Sequence, residues 1–155
     1  MGYWAGLRVK EIAQLKMGDV LNEDGTIKSE IRLSAQQTKG NDGRTVFLPA
    51  KLKEELAVYL KTRHITMPDI PLFHTSKRLG WTPNTLCQHF FWLYKKAGIA
   101  GASSHSGRRQ FITTLANKGI SVRILASLAG HKSIAVTQKY IDVNDDMKRA
   151  AVELI

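Results

Sequence analysis

The chain has 155 residues, with 23 Lys and Arg against 13 Asp and Glu, giving a formal net charge of +10 and a pI near 9.9. Its length fits one domain around one core, and 43% hydrophobic with 23% charged residues is ordinary for a soluble globular protein. No stretch approaches the roughly 20 apolar residues of a membrane span, Cys87 is the only cysteine, so an intrachain disulfide is excluded, and Met1–Gly6 lacks the basic and apolar runs of a signal peptide. These features suit a cytoplasmic, reducing setting, and the charge favours a polyanionic partner, most simply nucleic acid.

The first expected element is a short helix over about residues 8–16, with Leu7, Ile12 and Leu15 at helical spacing. The pattern then turns to strands. Asp24-Gly25 is a tight-turn signal, Ile31, Leu33 and Ala35 alternate with polar residues, and Val46 and Leu48 do the same after Asn41-Asp42-Gly43. Two hairpins over about residues 19–48 are expected from this. After Pro49 the chain reads as helical. Leu52, Leu56, Tyr59 and Leu60 form one stripe, and Met67–Pro71 form a loop. Thr82-Pro83 starts a helix whose buried face is expected to be Leu86, Phe90, Leu93 and Ala97, ending at Gly98. Ser103 or Ser104, Ser121 and Ser133 are expected caps for the next three helices, and a last helix begins at Asn144. The fold class is therefore α+β, mainly helical, with a small antiparallel sheet near the N-terminus.

Several residues carry chemistry beyond packing. Tyr140 follows His131 by nine residues, and His105 and Arg108 are three apart at a helix start, so they share a face while Arg109 points roughly 100° away. Free amides at that start suit an anion. Arg8 in a first turn opposes the helix dipole, which suggests that it answers to a ligand, and Glu11 lies three residues on, where it can orient Arg8. Lys39 sits on a hairpin tip, Lys39–Arg44, that could carry it into a groove; the common reading of such a lysine is solubility. Taken singly, each histidine is more often structural. Together, arginine forks bind phosphate oxygens, histidines move protons, and a phenol oxygen can attack phosphorus. His89–Tyr94 reads as core packing rather than as a base-stacking platform. His64, His74 and His89 lack metal-ligand spacing, and no Gly-rich phosphate loop is present.

Gly6–Glu11, Lys39-Gly40-Asn41, His105-x-x-Arg108, Leu128–His131 and Thr137–Tyr140 occur in an order that resembles the catalytic domain of the tyrosine recombinases, the phage integrase family. The resemblance implies site-specific cleavage and rejoining of double-stranded DNA through a 3′-phosphotyrosine intermediate, without metal or cofactor. It implies Tyr140 as nucleophile, Arg8 and Arg108 as phosphate clamps, Lys39 as acid for the 5′ oxygen and His105 as general acid/base. His131 would be a phosphate contact and Glu11 a support for Arg8. Other protomers on DNA are the implied partners, the segment from Asn144 being the one that docks on a neighbour. Two departures stand out. Gly107 replaces a bulky apolar residue and is expected to loosen that helix start. Only seven residues precede Arg8, so residues 1–155 are expected to form a catalytic domain without the usual N-terminal core-binding domain or the helix before Gly6. A non-catalytic DNA-binding or regulatory fragment is the alternative.

Overall fold

The computed structural model describes all residues except 39–41, 64–66, 76–79, 142 and 144. A one-turn helix α1 (Gly2–Ala5) comes first, although no helix was expected before Gly6; it leads into α2 (Val9–Gln14) and a second short turn, α3 (Met17–Val20). Acidic side chains close the two later starts. Glu11 Oε2 accepts the Arg8 backbone N–H (2.7 Å) and Asp19 Oδ2 accepts that of Lys16 (2.9 Å). Each satisfies a donor that the helix leaves open.

Only one of the two expected hairpins is a sheet. Strand β1 (Glu30–Leu33) pairs antiparallel with β2 (Arg44–Phe47), Ile31 opposite Val46. The Asp24-Gly25 turn is present, but its flanks make a single bridge, Leu21 to Ile27. The reason is that residues 17–20 are spent on α3, whose Met17 and Val20 are buried. On β1, Ile31 and Leu33 face inward and Arg32 outward, as the period of two requires.

Helix α4 (Ala50–Lys61) buries Leu52 and Leu56 in one core with Leu7, Leu15, Met17, Val20, Ile31, Leu33, Val46, Leu48 and Leu72. Burying each such side chain contributes about 1.5–3 kcal/mol. Helix α5 (Pro83–Lys96) starts at Thr82, whose hydroxyl accepts Thr85 N–H (3.2 Å). Its expected buried face is corrected. Leu86 is the residue it buries, Phe90 is half-buried, Ala97 is exposed, and Leu93 is 46% exposed. The expectation that His89–Tyr94 is core packing holds only for Phe90, which packs against the core, since Phe91 and Trp92 are 54% and 57% exposed. Helical spacing cannot say whether a partner layer exists for a stripe, and here the core takes Leu86 and part of Phe90 and leaves the later positions open.

Helices α6 (Ser106–Asn117) and α7 (Val122–Ala129) bury Ile112, Ala116, Leu125, Ala126 and Ala129 where they meet. His105, not Ser103 or Ser104, is the N-cap of α6, and Ser103 instead gives its backbone N–H to Ser106 Oγ (2.8 Å). Ser121 precedes α7 without a side-chain cap bond. Ser133 does cap α8 (Ile134–Gln138), its hydroxyl accepting Ala135 N–H (3.3 Å). Helix α9 (Asp145–Val152) buries none of its residues. Gly107 does not loosen the start of α6. A Cβ there would lie 3.1 Å from Tyr3 N, so its absence lets the α1 backbone pack directly on α6. Among the described residues no helix is long and apolar enough to cross a membrane.

Candidate active site

The C-terminus of α7 organises the site. Gly130 takes the left-handed conformation (φ 61°), its N–H bonds Ser127 O (2.9 Å), and His131 N–H bonds Ala126 O (2.9 Å). This pair of bonds is a Schellman ending, and it turns His131 out of the helix line. A Cβ at 130 would be strained and would lie 2.6 Å from Arg44 Cδ. Three successive carbonyls at this end lack helical partners, and each accepts from a different guanidinium. Arg44 Nη1 donates to Leu128 O (2.8 Å), Arg108 Nη2 to Ala129 O, and Arg8 Nη2 to Gly130 O (2.7 Å). Arg108 Nη1 also donates to Gly6 O, tying α6 to the start of α2. Cations belong at the negative end of a helix dipole, and here the carbonyls hold them in register.

Glu11, fully buried, balances part of this charge. Its Oε1 accepts from Arg8 Nη1 (3.0 Å) and Arg44 Nε (3.2 Å), and its Oε2 from Arg8 N (2.7 Å) and Arg44 Nη2 (2.7 Å). Burial works to raise its pKa, but the Arg44 bond and charge, with those of Arg8, hold it below the ordinary value. Arg108 is only 7% exposed. Burial, then repulsion from Arg8, brings its pKa down to about 10, so it stays cationic at neutral pH.

His131 Nδ1 lies 2.8 Å from the hydroxyl of buried Thr137. With Thr137 as donor, Nε2–H is left for a ligand. The His131 ring is stacked on that of Tyr140, centroids 6.2 Å apart and planes at 19°. Tyr140 is half-buried, its N–H bonded to Thr137 O (3.0 Å), and its phenolate would act electrostatically on Arg108. A cleft of about 530 Å³ opens here, lined by Arg8, Thr38, Arg44, Gly130, His131 and Lys132 among others. Facing it, Lys132 pairs with Asp42 (2.8 Å).

The structure thus brings together Arg8 and Glu11 of one motif with Arg108, His131 and Tyr140 of three others. His105 stands exposed at the start of α6, one turn before Arg108. Lys39 lies outside the described residues; the flanks of its loop are joined by Thr38 Oγ1 donating to Asp42 O (2.8 Å). Sequence reasoning missed two members. Arg44 was placed in the hairpin tip with no role, and Thr137 was only part of a motif. Their signals were present, an arginine opening a strand beside an apolar alternation and a threonine six residues after a histidine, but neither spacing names a contact. Among the described residues no group of three His, Cys, Asp or Glu is placed to hold a metal ion.

Burial, then the charges of Arg108, Arg8 and Arg44, push the His131 imidazole down to about 4 from its ordinary 6.5. His131 is therefore neutral at pH 7. An imidazole NMR titration should place its midpoint near 4. Because the folded state resists the proton, the unfolded state binds it first. The contribution of this residue to stability is intact above about 6.5 and is lost as pH falls toward 4. A midpoint near 6.5 would contradict the cationic surround.

The phage integrase family profile matches residues 1–147. The chain is 34% identical over 154 residues to tyrosine recombinase XerA of Pyrococcus furiosus, covering 97% of this chain and 51% of that protein. A tyrosine recombinase of Thermosipho africanus is 30% identical over 157 residues, with 97% and 50% covered. The chain spans about half the length of the curated relatives it matches. Among solved structures, the XerA recombinase crystal structure superposes with a TM-score of 0.77 at 28% identity, covering 98% of this chain and 53% of that one. The Tn1549 transposon integrase in complex with a circular intermediate DNA shares the fold, with a TM-score of 0.72 at 22% identity and 99% and 56% covered. Sequence and fold agree: the chain belongs to the phage integrase family.

Proposed function

We propose that this chain is the catalytic part of a site-specific DNA recombinase that cleaves and rejoins strands through a covalent tyrosine intermediate. The observation that carries this is the shared anchor of Arg8 and Arg108 at the end of α7, beside a His131 ring stacked on Tyr140. The relatives' names and the DNA complex of the transposon integrase support the substrate class.

In this reading the scissile phosphate enters the cleft lined by Arg8 and His131, with buried Arg108 anchored on the same helix end. Guanidinium forks and a neutral His131 N–H stabilise its oxygens as charge builds. The Tyr140 oxygen attacks phosphorus, and its proton passes to His105. The P–O bond to the 5′ oxygen breaks, and that oxygen takes a proton from Lys39. The 3′ phosphate is then esterified to Tyr140, and a 5′-hydroxyl of another strand attacks it, returning the tyrosine. The bond energy is conserved throughout, so rejoining needs no nucleotide. A second protomer must supply the other strand. Val152 at the end of helix α9 and Leu154 just after it, 67% and 87% exposed, offer an apolar surface for it. A cytoplasmic, DNA-associated setting follows from this chemistry.

The competing reading is a DNA-binding fragment without chemistry, favoured by the half-length match and by the exposed position of His105. A nicked duplex carrying inverted repeats of about 10 bp taken from DNA flanking the gene, one helical turn per half-site, separates the two. Wild type should form a covalent adduct on a denaturing gel. Tyr140→Phe should form none, and Arg8→Ala and Arg108→Ala should lose it while still binding DNA. Without residues 144–155, cleavage should persist and joining between two duplexes should fall. An adduct that survives in Tyr140→Phe rejects the nucleophile; no adduct with any protein, even with a supplied N-terminal domain, favours the binding fragment.

The Lys39 role makes a separate demand. Lys39→Ala should slow cleavage of normal DNA by ~10²–10⁴-fold. On DNA with a 5′-bridging sulfur, whose thiolate leaves unaided, it should regain nearly wild-type rate while Arg108→Ala stays impaired. Equal loss on both substrates would reduce Lys39 to a DNA contact.

A further inference from the structure

The geometry points to Arg44 as a positioning residue for the phosphate site: by occupying the buried Glu11 carboxylate, it leaves the charge of Arg8 available to the substrate. The inference rests on the strand-transfer reading above and adds a residue to it. Arg44 is the third guanidinium of the cluster, its side chain only 10% exposed. Its Nε and Nη2 take one lone pair on each Glu11 oxygen, and its Nη1 takes Leu128 O. Arg8 takes the other two positions on Glu11. A carboxylate beside Arg8 alone would cancel its charge. Shared with Arg44, the same carboxylate fixes the Arg8 fork while the trio stays one charge positive. Arg108 adds a second, so the pocket can meet a phosphate whose negative charge grows as the nucleophile arrives. Both guanidiniums touch the same helix end, so a shift in one is felt by the other.

A plain brace between β2 and α7 would have the same contacts, and charge exchange separates the two. Arg44→Gln keeps a donor for Leu128 O and loses the charge. Glu11→Gln in the same chain restores the net charge without restoring Arg44. In the full chain, Arg44→Gln should raise the His131 titration midpoint, because a facing cation is gone while Arg8 and Arg108 remain. It should also weaken inorganic phosphate binding, followed on the same resonance, by roughly tenfold, and lower the adduct rate on the nicked duplex by ~10²-fold. The Arg44→Gln/Glu11→Gln double variant should recover most of all three, and Arg44→Lys should stay near wild type in the titration. Should Arg44→Gln fail to fold, the double variant carries the same readouts. An unmoved His131 midpoint in Arg44→Gln, or a double variant worse than the single, overturns the charge role and leaves a brace. If wild type forms no adduct, the strand-transfer reading falls, and the titration and phosphate binding still decide Arg44.

Discussion

Three arginines drawn from distant parts of the chain meet on three consecutive carbonyls at the end of one helix, and the site depends on that meeting. The carbonyls of Leu128, Ala129 and Gly130 are free because an α-helix cannot use its last acceptors. The left-handed Gly130 exposes them and sends His131 to one side. Arg8 comes from the start of α2, Arg44 from β2 and Arg108 from α6, so one helix terminus fixes the relative placement of three elements. Guanidiniums suit this use. Each offers five N–H groups, enough to bind two protein acceptors and still present donors to an anion.

Clustered cations repel, and burial removes the water that would screen them. Two features offset this. The α7 dipole supplies partial negative charge, and Glu11 supplies a full one with every lone pair in use. Removing one partner from a buried ion pair costs about 3–5 kcal/mol, so the trio is held as a unit. The remaining positive excess makes this pocket complementary to its proposed anionic substrate. Burial first, and then this excess, keep His131 neutral, a donor that needs no proton from solvent. By contrast, the Lys132–Asp42 pair at the cleft mouth is 70% and 74% exposed and adds little stability; an arriving phosphate can replace it.

Much of this was legible in the residues. The hairpin of β1 and β2, the apolar stripe of α4, the Thr82-Pro83 start and the Gly130 stop each have a local physical cause, and local causes can be read from a chain. Glu11 supporting Arg8 was legible for the same reason, since residues three apart at a helix start meet. What was missed depends on long-range partners. The stripe on α5 has the spacing of a core face, yet Phe91, Trp92 and Leu93 stay exposed because no described element covers them. Arg44 becomes part of the site through Glu11 and Leu128, and Thr137 through His131, contacts that no spacing announces. The Asp24-Gly25 turn formed without its sheet because α3 claimed the residues before it. Ordered motifs named residues that the fold draws together; their bonding required the fold.

The identity of the attacking atom decides the mechanism most directly. Protease digestion and mass spectrometry of a protein–DNA adduct, after nuclease trimming, would locate the attached nucleotide. The account predicts a 3′-phosphonucleotide on the peptide that contains Tyr140, stable to heat and hydroxylamine as a phosphotyrosine ester. A nucleotide on Tyr3, Tyr59, Tyr94 or any serine, or one joined through its 5′ phosphate, would contradict it.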